Sequence, residues 1–77
     1  MCNNYLLKEE KIIVKINGAT FSCIPNTSLK KILEYLDFDM RLVIVEYNSE
    51  IISKEKLDSI NMKNQDIIEI VTIVGGG

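Results

Sequence analysis

The sequence predicts an α+β fold, a mixed sheet with one main helix packed on one face. Three observations carry that prediction. Two strand-like segments flank Asn17-Gly18, a pair suited to a type I′ hairpin turn because that turn needs positive φ at both central residues. Leu29, Ile32, Leu33 and Leu36 follow the i, i+3, i+4, i+7 spacing of one helix face. Two later apolar segments, Leu42 to Tyr47 and Ile67 to Ile73, have strand length and strand composition.

In chain order, Met1 to Glu10 has no clear period and reads as a flexible N-terminal extension. Lys11 to Ile16 is the first strand and Ala19 to Ile24 the second. The two-residue turn fixes their register. Ile16 then faces Ala19, Val14 faces Phe21 and Ile12 faces Cys23, an apolar side expected to enter the core. Ile13 falls on the other, mostly polar side. Pro25-Asn26 breaks the strand. Thr27 or Ser28 caps the helix, although neither completes a capping box. Asp37-Phe38-Asp39 ends it. Leu42 to Tyr47 is the third strand, Asn48-Ser49 a turn, and Glu50-Ile51-Ile52 a short fourth strand. Ser53 to Asn64 reads as a polar loop anchored by Leu57, Ile60 and Met62. Gln65-Asp66 leads into the last strand, Ile67 to Ile73. The domain therefore runs over 11–74, with a flexible glycine tail at 75–77. Val14, Phe21, Leu33 and Val45 are expected in the core.

The 77 residues allow one domain. At this size only about 60–65% of the unfolded surface is buried, so the core is thin. The net charge is -2, from 9 basic and 11 acidic residues, with no basic stripe. That argues against a nucleic-acid partner. No apolar run approaches the roughly 20 residues that span a bilayer. Nor does the start have the charged-then-apolar order of a signal peptide, and a cytoplasmic location is expected. Histidine is absent, which removes the commonest general base and metal ligand. Cys2 and Cys23 are a poor zinc set. Cys2 reads as a loose thiol and Cys23 as a small buried hydrophobe.

No catalytic constellation emerges. Glu9-Glu10 and Asp37 with Asp39 lie at a terminus and in a turn, where solvated charge is the ordinary role. The hydroxyl side chains have no histidine to activate them. The glycines match neither a dinucleotide fingerprint nor a phosphate loop. The chain is expected not to be an enzyme and to hold no cofactor or metal.

What remains is Gly75-Gly76-Gly77 at the end of the sequence. A glycine tail is narrow and takes backbone angles closed to other residues. It suits threading through a tight channel. Ordering it costs roughly 3–6 kcal/mol at about 1–2 kcal/mol per residue. Its carboxylate has a reference pKa of about 3.3–3.7 and is ionised near neutrality. It can attack the α-phosphate of ATP held by another protein, and the acyl adenylate then accepts sulfur or an amine.

The sequence resembles the ThiS family of sulfur carriers of thiamin biosynthesis. The resemblance rests on the first strand with Asn17-Gly18, on Pro25-Asn26-Thr27-Ser28-Leu29, and on Val43 to Asn48. It continues through Glu50-Ile51-Ile52 and Asp66 to Gly77, covering about residues 11–77. It implies a ubiquitin-like β-grasp, with the first and last strands side by side. It also implies that Gly77 is adenylated by an E1-like enzyme, which uses ATP, and becomes a thiocarboxylate. A sulfur donor system such as a cysteine desulfurase loads it, and thiazole synthase receives the sulfur. Gly76 matches the penultimate glycine. Three departures stand out: the first ten residues extend the usual start, Asn48-Ser49 replaces a common Asn-Gly, and Ser53 replaces a frequent Pro. Two alternatives share the tail: the small subunit of molybdopterin synthase, and a ubiquitin-like modifier or interaction module.

Strand alternation adds a docking expectation. Ile44 lies opposite in facing to Val43 and Val45, and Val71 and Ile73 opposite to Ile68 and Ile70. If the first, third and last strands are neighbours, Ile13, Ile44, Val71 and Ile73 form one exposed apolar patch beside the tail. A contiguous patch of this kind marks a partner site. Tyr5-Leu6-Leu7 is the competing cover for it.

Overall fold

A computed structural model of the chain describes residues 11–73. The expectations about Met1 to Glu10, Val74 and the glycine tail lie outside the described residues. Five strands form one sheet: β1 (Ile12–Ile16), β2 (Ala19–Cys23), β3 (Val43–Tyr47), β4 (Glu50–Ile52) and β5 (Asp66–Thr72). One helix, α1 (Leu29–Tyr35), lies between β2 and β3. The strand order is β2-β1-β5-β3-β4. β1 and β5 run parallel, and the other pairs are antiparallel. The first and last strands are therefore neighbours, as the β-grasp expectation requires.

Local chemistry explains each boundary. Asn17 and Gly18 both have positive φ, 51° and 83°, the requirement of a type I′ turn. The β1–β2 register pairs Ile16 with Ala19, Val14 with Phe21 and Ile12 with Cys23, as the turn dictates. Ser28 caps α1, its hydroxyl accepting from the Lys31 N–H at 3.1 Å. The helix ends where Asp37 enters the left-handed region at φ 64°. The Phe38 N–H then donates to the Leu33 carbonyl and the Asp37 N–H to the Glu34 carbonyl, both at 3.0 Å. That is a Schellman end built with aspartate in place of glycine. Asn48 and Ser49 make a second turn with positive φ at both residues, 49° and 75°.

The core lies between α1 and one face of the sheet. It comprises Val14, Ile16, Leu29, Ile32, Leu33, Val43, Val45, Leu57, Met62, Ile68 and Ile70. Leu57 and Met62 are buried and Ile60 is half-buried, so the three anchors of the polar segment point inward. That segment is not wholly loop, because Lys54–Ser59 winds into a 3₁₀ helix.

Phe21 departs from the sequence expectation. It is 36% exposed. Its register is right, but β2 is an edge strand, and the seven-residue helix leaves this end of the sheet open. Alternation sets which way a side chain faces. Whether a neighbour covers it depends on the helix's length and position.

The last strand is clamped at several points along its length. On one side, the Asn17 side chain accepts from the Ile70 N–H at 2.7 Å and donates to the Ile70 carbonyl at 3.2 Å. On the other, the Asn48 side chain accepts from the Ile67 N–H, and the Asn48 N–H donates to the Ile67 carbonyl, both at 2.8 Å. Each turn asparagine thus tolerates a left-handed backbone and also extends the ladder onto β5.

At the start of β5 sits Asp66, 7% exposed. It accepts from the Tyr47 hydroxyl at 2.7 Å, the Lys63 N–H at 2.7 Å and the Asn48 side-chain amide at 3.1 Å. A buried carboxylate needs such partners. Burial pushes the Tyr47 phenol up to about 12 from 10.0, and the bond and charge of Asp66 add to the effect. A raised folded-state value favours the protonated phenol, so this contribution is intact below the unfolded pKa. It is lost as pH rises through the folded one. Stability should therefore fall between about pH 10 and 12, by on the order of 1–2 kcal/mol once solvent at this half-buried site is discounted. Urea midpoints measured across that window should drop for the native chain and drop less for Tyr47→Phe.

Candidate functional site

The sheet face away from α1 carries the candidate site. Ile44 and Val71 are direct cross-strand partners, and they are 42% and 60% exposed. Ile73 is also exposed, and its N–H donates to the Leu42 carbonyl at 2.6 Å. Backbone pairing thus reaches the last described residue before the tail. Ile44, Ile51 and Ile73 border a hollow of about 210 Å³ at the β4 edge, which also reaches the core residues Val43, Val45 and Leu57.

Ile13 is exposed on the same face but lies elsewhere on it. The parallel register pairs Val14 with Asp66, which puts Ile13 beside Gln65. About six residues of β5 separate that point from Val71, roughly 20 Å at 3.3 Å per residue. The single patch expected of Ile13, Ile44, Val71 and Ile73 is therefore two. One comprises Ile44, Val71 and Ile73 by the tail, and the other is Ile13 at the far end. Strand alternation assigned the face correctly. Position along the face depends on the β1–β5 register, which the long connection between them sets and alternation does not.

The sequence reading also missed two members and a charge feature. Ile51 and Ile67 are 70% and 50% exposed and extend the apolar surface. Between them, Glu46 and Glu69 stand directly opposite each other on β3 and β5. Like charges in that arrangement repel, and among the described residues neither takes part in an ion pair. The ion pair present, Arg41 with Asp39 at 2.9 Å, lies on the exposed turn before β3. The face thus offers apolar surface with an acidic pair in its middle. Cross-strand adjacency of the two glutamates follows from register, so the sequence alone held no signal for it.

Cys23 is not an activated thiol. It is half-buried on the helix side of the sheet. Burial pushes its pKa up, and the Asp66 charge adds to the effect. A raised pKa lowers the thiolate fraction and hence nucleophilicity. Among the described residues no cluster of potential metal ligands occurs, and no helix is long and apolar enough to cross a membrane. The described residues therefore present an exposed apolar sheet face and a last strand whose pairing continues to Ile73.

Comparison with known proteins places this arrangement. The model of the ThiS family matches residues 14–77. The ycf40 protein of Porphyra purpurea is 40% identical over 68 residues, covering 88% of this chain and 96% of its own. The sulfur carrier protein ThiS of Bacillus subtilis (strain 168) is 35% identical over 66 residues, covering 84% of this chain and 100% of its own. The crystal structure of the thiamine biosynthesis protein ThiS from Geobacter metallireducens superposes with a TM-score of 0.74 at 25% identity, covering 86% of this chain and 100% of that one. The likeness spans these relatives almost end to end and so belongs to the domain as a whole: the chain is a member of the ThiS family of small ubiquitin-like sulfur carriers.

Proposed function

We propose that this carrier serves thiamin biosynthesis, with the carboxyl of Gly77 as the sulfur-bearing group. The observation that supports this most is that the family match runs through Gly77, directly after a strand whose pairing along β3 continues to Ile73. Four residues follow Ile73, enough to reach up to about 14 Å beyond the domain. Gly75 and Gly76 keep that reach narrow.

The chemistry belongs to partner enzymes. An E1-like enzyme binds ATP, and the Gly77 carboxylate oxygen attacks the α-phosphate. Pyrophosphate leaves, and an acyl adenylate forms. The outer sulfur of a persulfide from a donor system such as a cysteine desulfurase attacks the acyl carbon, and AMP leaves with the bonding electron pair of its C–O bond. The acyl disulfide so formed is cleaved by a thiol of a partner enzyme, which takes the donor's sulfur into a new disulfide and leaves the thiocarboxylate. Thiazole synthase then takes the sulfur. The domain itself contributes no acid or base, only recognition and delivery.

Docking uses Ile44, Val71 and Ile73 near the tail, with Glu46 and Glu69 meeting basic groups of the partner. Ile13 stands apart from that contact. Burying about 200 Å² of apolar surface returns roughly 5 kcal/mol, enough to offset the ordering of the glycines and leave a modest affinity. A carrier that passes between enzymes needs such an affinity.

A chain extended by one residue beyond Gly77 tests the tail role. With the adenylating partner, ATP and a sulfur donor, the native chain should gain sulfur and the extended chain should gain none, while both melt at the same temperature. Normal loading of the extended chain would overturn the assignment.

A further inference from the structure

Asn17 is the one asparagine of the chain that a glycine follows. In such a pair the next backbone nitrogen can attack the side-chain amide, because glycine carries no Cβ to shield it. The turn here is also open. Nothing stands within 4 Å of where a Gly18 Cβ would point, and both residues are solvent-exposed. Against this stands the clamp on the last strand. Asn17 Oδ1 accepts from the Ile70 N–H at 2.7 Å, and Nδ2 donates to the Ile70 carbonyl at 3.2 Å. The amide that would react is thus tied to β5 by both of its polar atoms. We propose that Asn17 is a site of spontaneous deamidation gated by this clamp, and that its conversion releases β5 from the β1–β2 turn.

The reaction needs only water. With its proton lost to water, the Gly18 nitrogen attacks Asn17 Cγ and forms a new C–N bond. The Cγ–Nδ2 bond breaks, and ammonia leaves with a proton taken from solvent. A succinimide ring remains, joining the Gly18 nitrogen to both carbonyl carbons of residue 17. Water opens the ring at either carbon and gives aspartate or isoaspartate. Neither product keeps the clamp. Aspartate sets an oxygen against the Ile70 carbonyl where the Nδ2 donor stood. Isoaspartate removes the side-chain amide altogether and adds one backbone carbon to a two-residue turn. That turn sets the pairing of Ile16 with Ala19 and of Val14 with Phe21, so the hairpin is disturbed as well.

Asn48 is the internal comparison, because it grips β5 from the other side. Its Oδ1 accepts from the Ile67 N–H at 2.8 Å, and its Nδ2 donates to the buried Asp66 carboxylate at 3.1 Å. A bond to a carboxylate is stronger than one to a carbonyl, and Ser49 follows, whose Cβ crowds the attacking nitrogen. Asn17 therefore converts first in the folded chain. This inference stands independently of the proposed sulfur chemistry.

The native chain itself is the reagent. Samples held at mildly alkaline pH, folded or in guanidinium chloride, are digested at intervals and each asparagine is followed by fragmentation mass spectrometry. Asn17 should convert about ten- to a hundredfold faster in the denaturant, the protection a contact gives to a group that reacts only on local opening. In the folded chain Asn17 should convert before Asn48. The isoaspartyl chain, separated by ion exchange, should exchange its Ile70 amide about tenfold faster than the native chain, and its Leu36 amide in α1 much less so. Equal conversion rates in the two conditions would overturn the proposal. So would a folded chain that keeps Asn17 intact far beyond that range, or one that converts Asn48 first. Native exchange at Ile70 in the isoaspartyl chain, or an equal rise at Leu36, would overturn the release of β5.

Discussion

Ile44→Asp and Val71→Asp should each weaken binding to the adenylating partner by about 30-fold or more, the effect of losing a hot spot of roughly 2 kcal/mol. Both side chains are exposed and paired across β3 and β5, so a single carboxylate introduced there lies at the centre of the proposed contact. It also adds to the repulsion of Glu46 and Glu69. The fold should tolerate either change at a cost of about 1 kcal/mol, the range of strand propensity. Ile13→Asp is the geometric control. It changes an equally apolar residue on the same face, but roughly 20 Å from Val71. Its effect on binding should be several-fold smaller. Titration of the three variants against the partner, with melting curves alongside, reads the whole pattern. Equal losses from all three would show that the partner covers the full sheet. No loss from Ile44→Asp or Val71→Asp would move docking to another surface.

Leu33→Ala should be the most damaging core truncation, costing about 2–5 kcal/mol. Leu33 is fully buried, sits in the middle of α1, and its carbonyl closes the helix end through Phe38. Domains have only about 5–15 kcal/mol in total. At roughly 4–8 °C per kcal/mol for this size, the melting temperature should fall by at least about 8 °C. Ile51→Ala, at a residue 70% exposed, should change stability by less than about 0.5 kcal/mol. Sulfur loading of Leu33→Ala should fall only in proportion to its unfolded fraction. Denaturant curves for the two variants decide the matter. An unchanged midpoint for Leu33→Ala would refute the assignment of the helix face.

The local features of this fold were legible in the residues. Asn17-Gly18 announced the turn, and the turn set the hairpin register pair by pair. The helix stripe at Leu29, Ile32 and Leu33 is buried as its spacing indicates. What the sequence hid is non-local. Phe21 faces the correct way but lacks a cover among the described residues, because the helix is short and β2 is at the edge. Ile13 has the right facing but the wrong neighbours, because a parallel register is set across a long connection. Asp66 read as a lead-in to a strand, yet it is buried under bonds from Tyr47 and Asn48, which are distant in sequence. Asn17 and Asn48 read as turn residues only. Their grip on β5 exists because the topology brings the last strand between the two turns. The proposed tail chemistry rests on Gly75-Gly76-Gly77 together with the resemblance to the ThiS family.

Whether Gly77 carries sulfur can be read from the intact mass of the chain. Protein isolated from its native cell, measured with and without alkylation, should contain a population heavier by the replacement of one oxygen with sulfur. Fragmentation should place that change on Gly77. The species should take up one alkyl group even when Cys2 and Cys23 are both replaced by Ser. A chain that shows only the unmodified carboxylate, or sulfur bound at Cys2 or Cys23 and never at Gly77, would contradict the account.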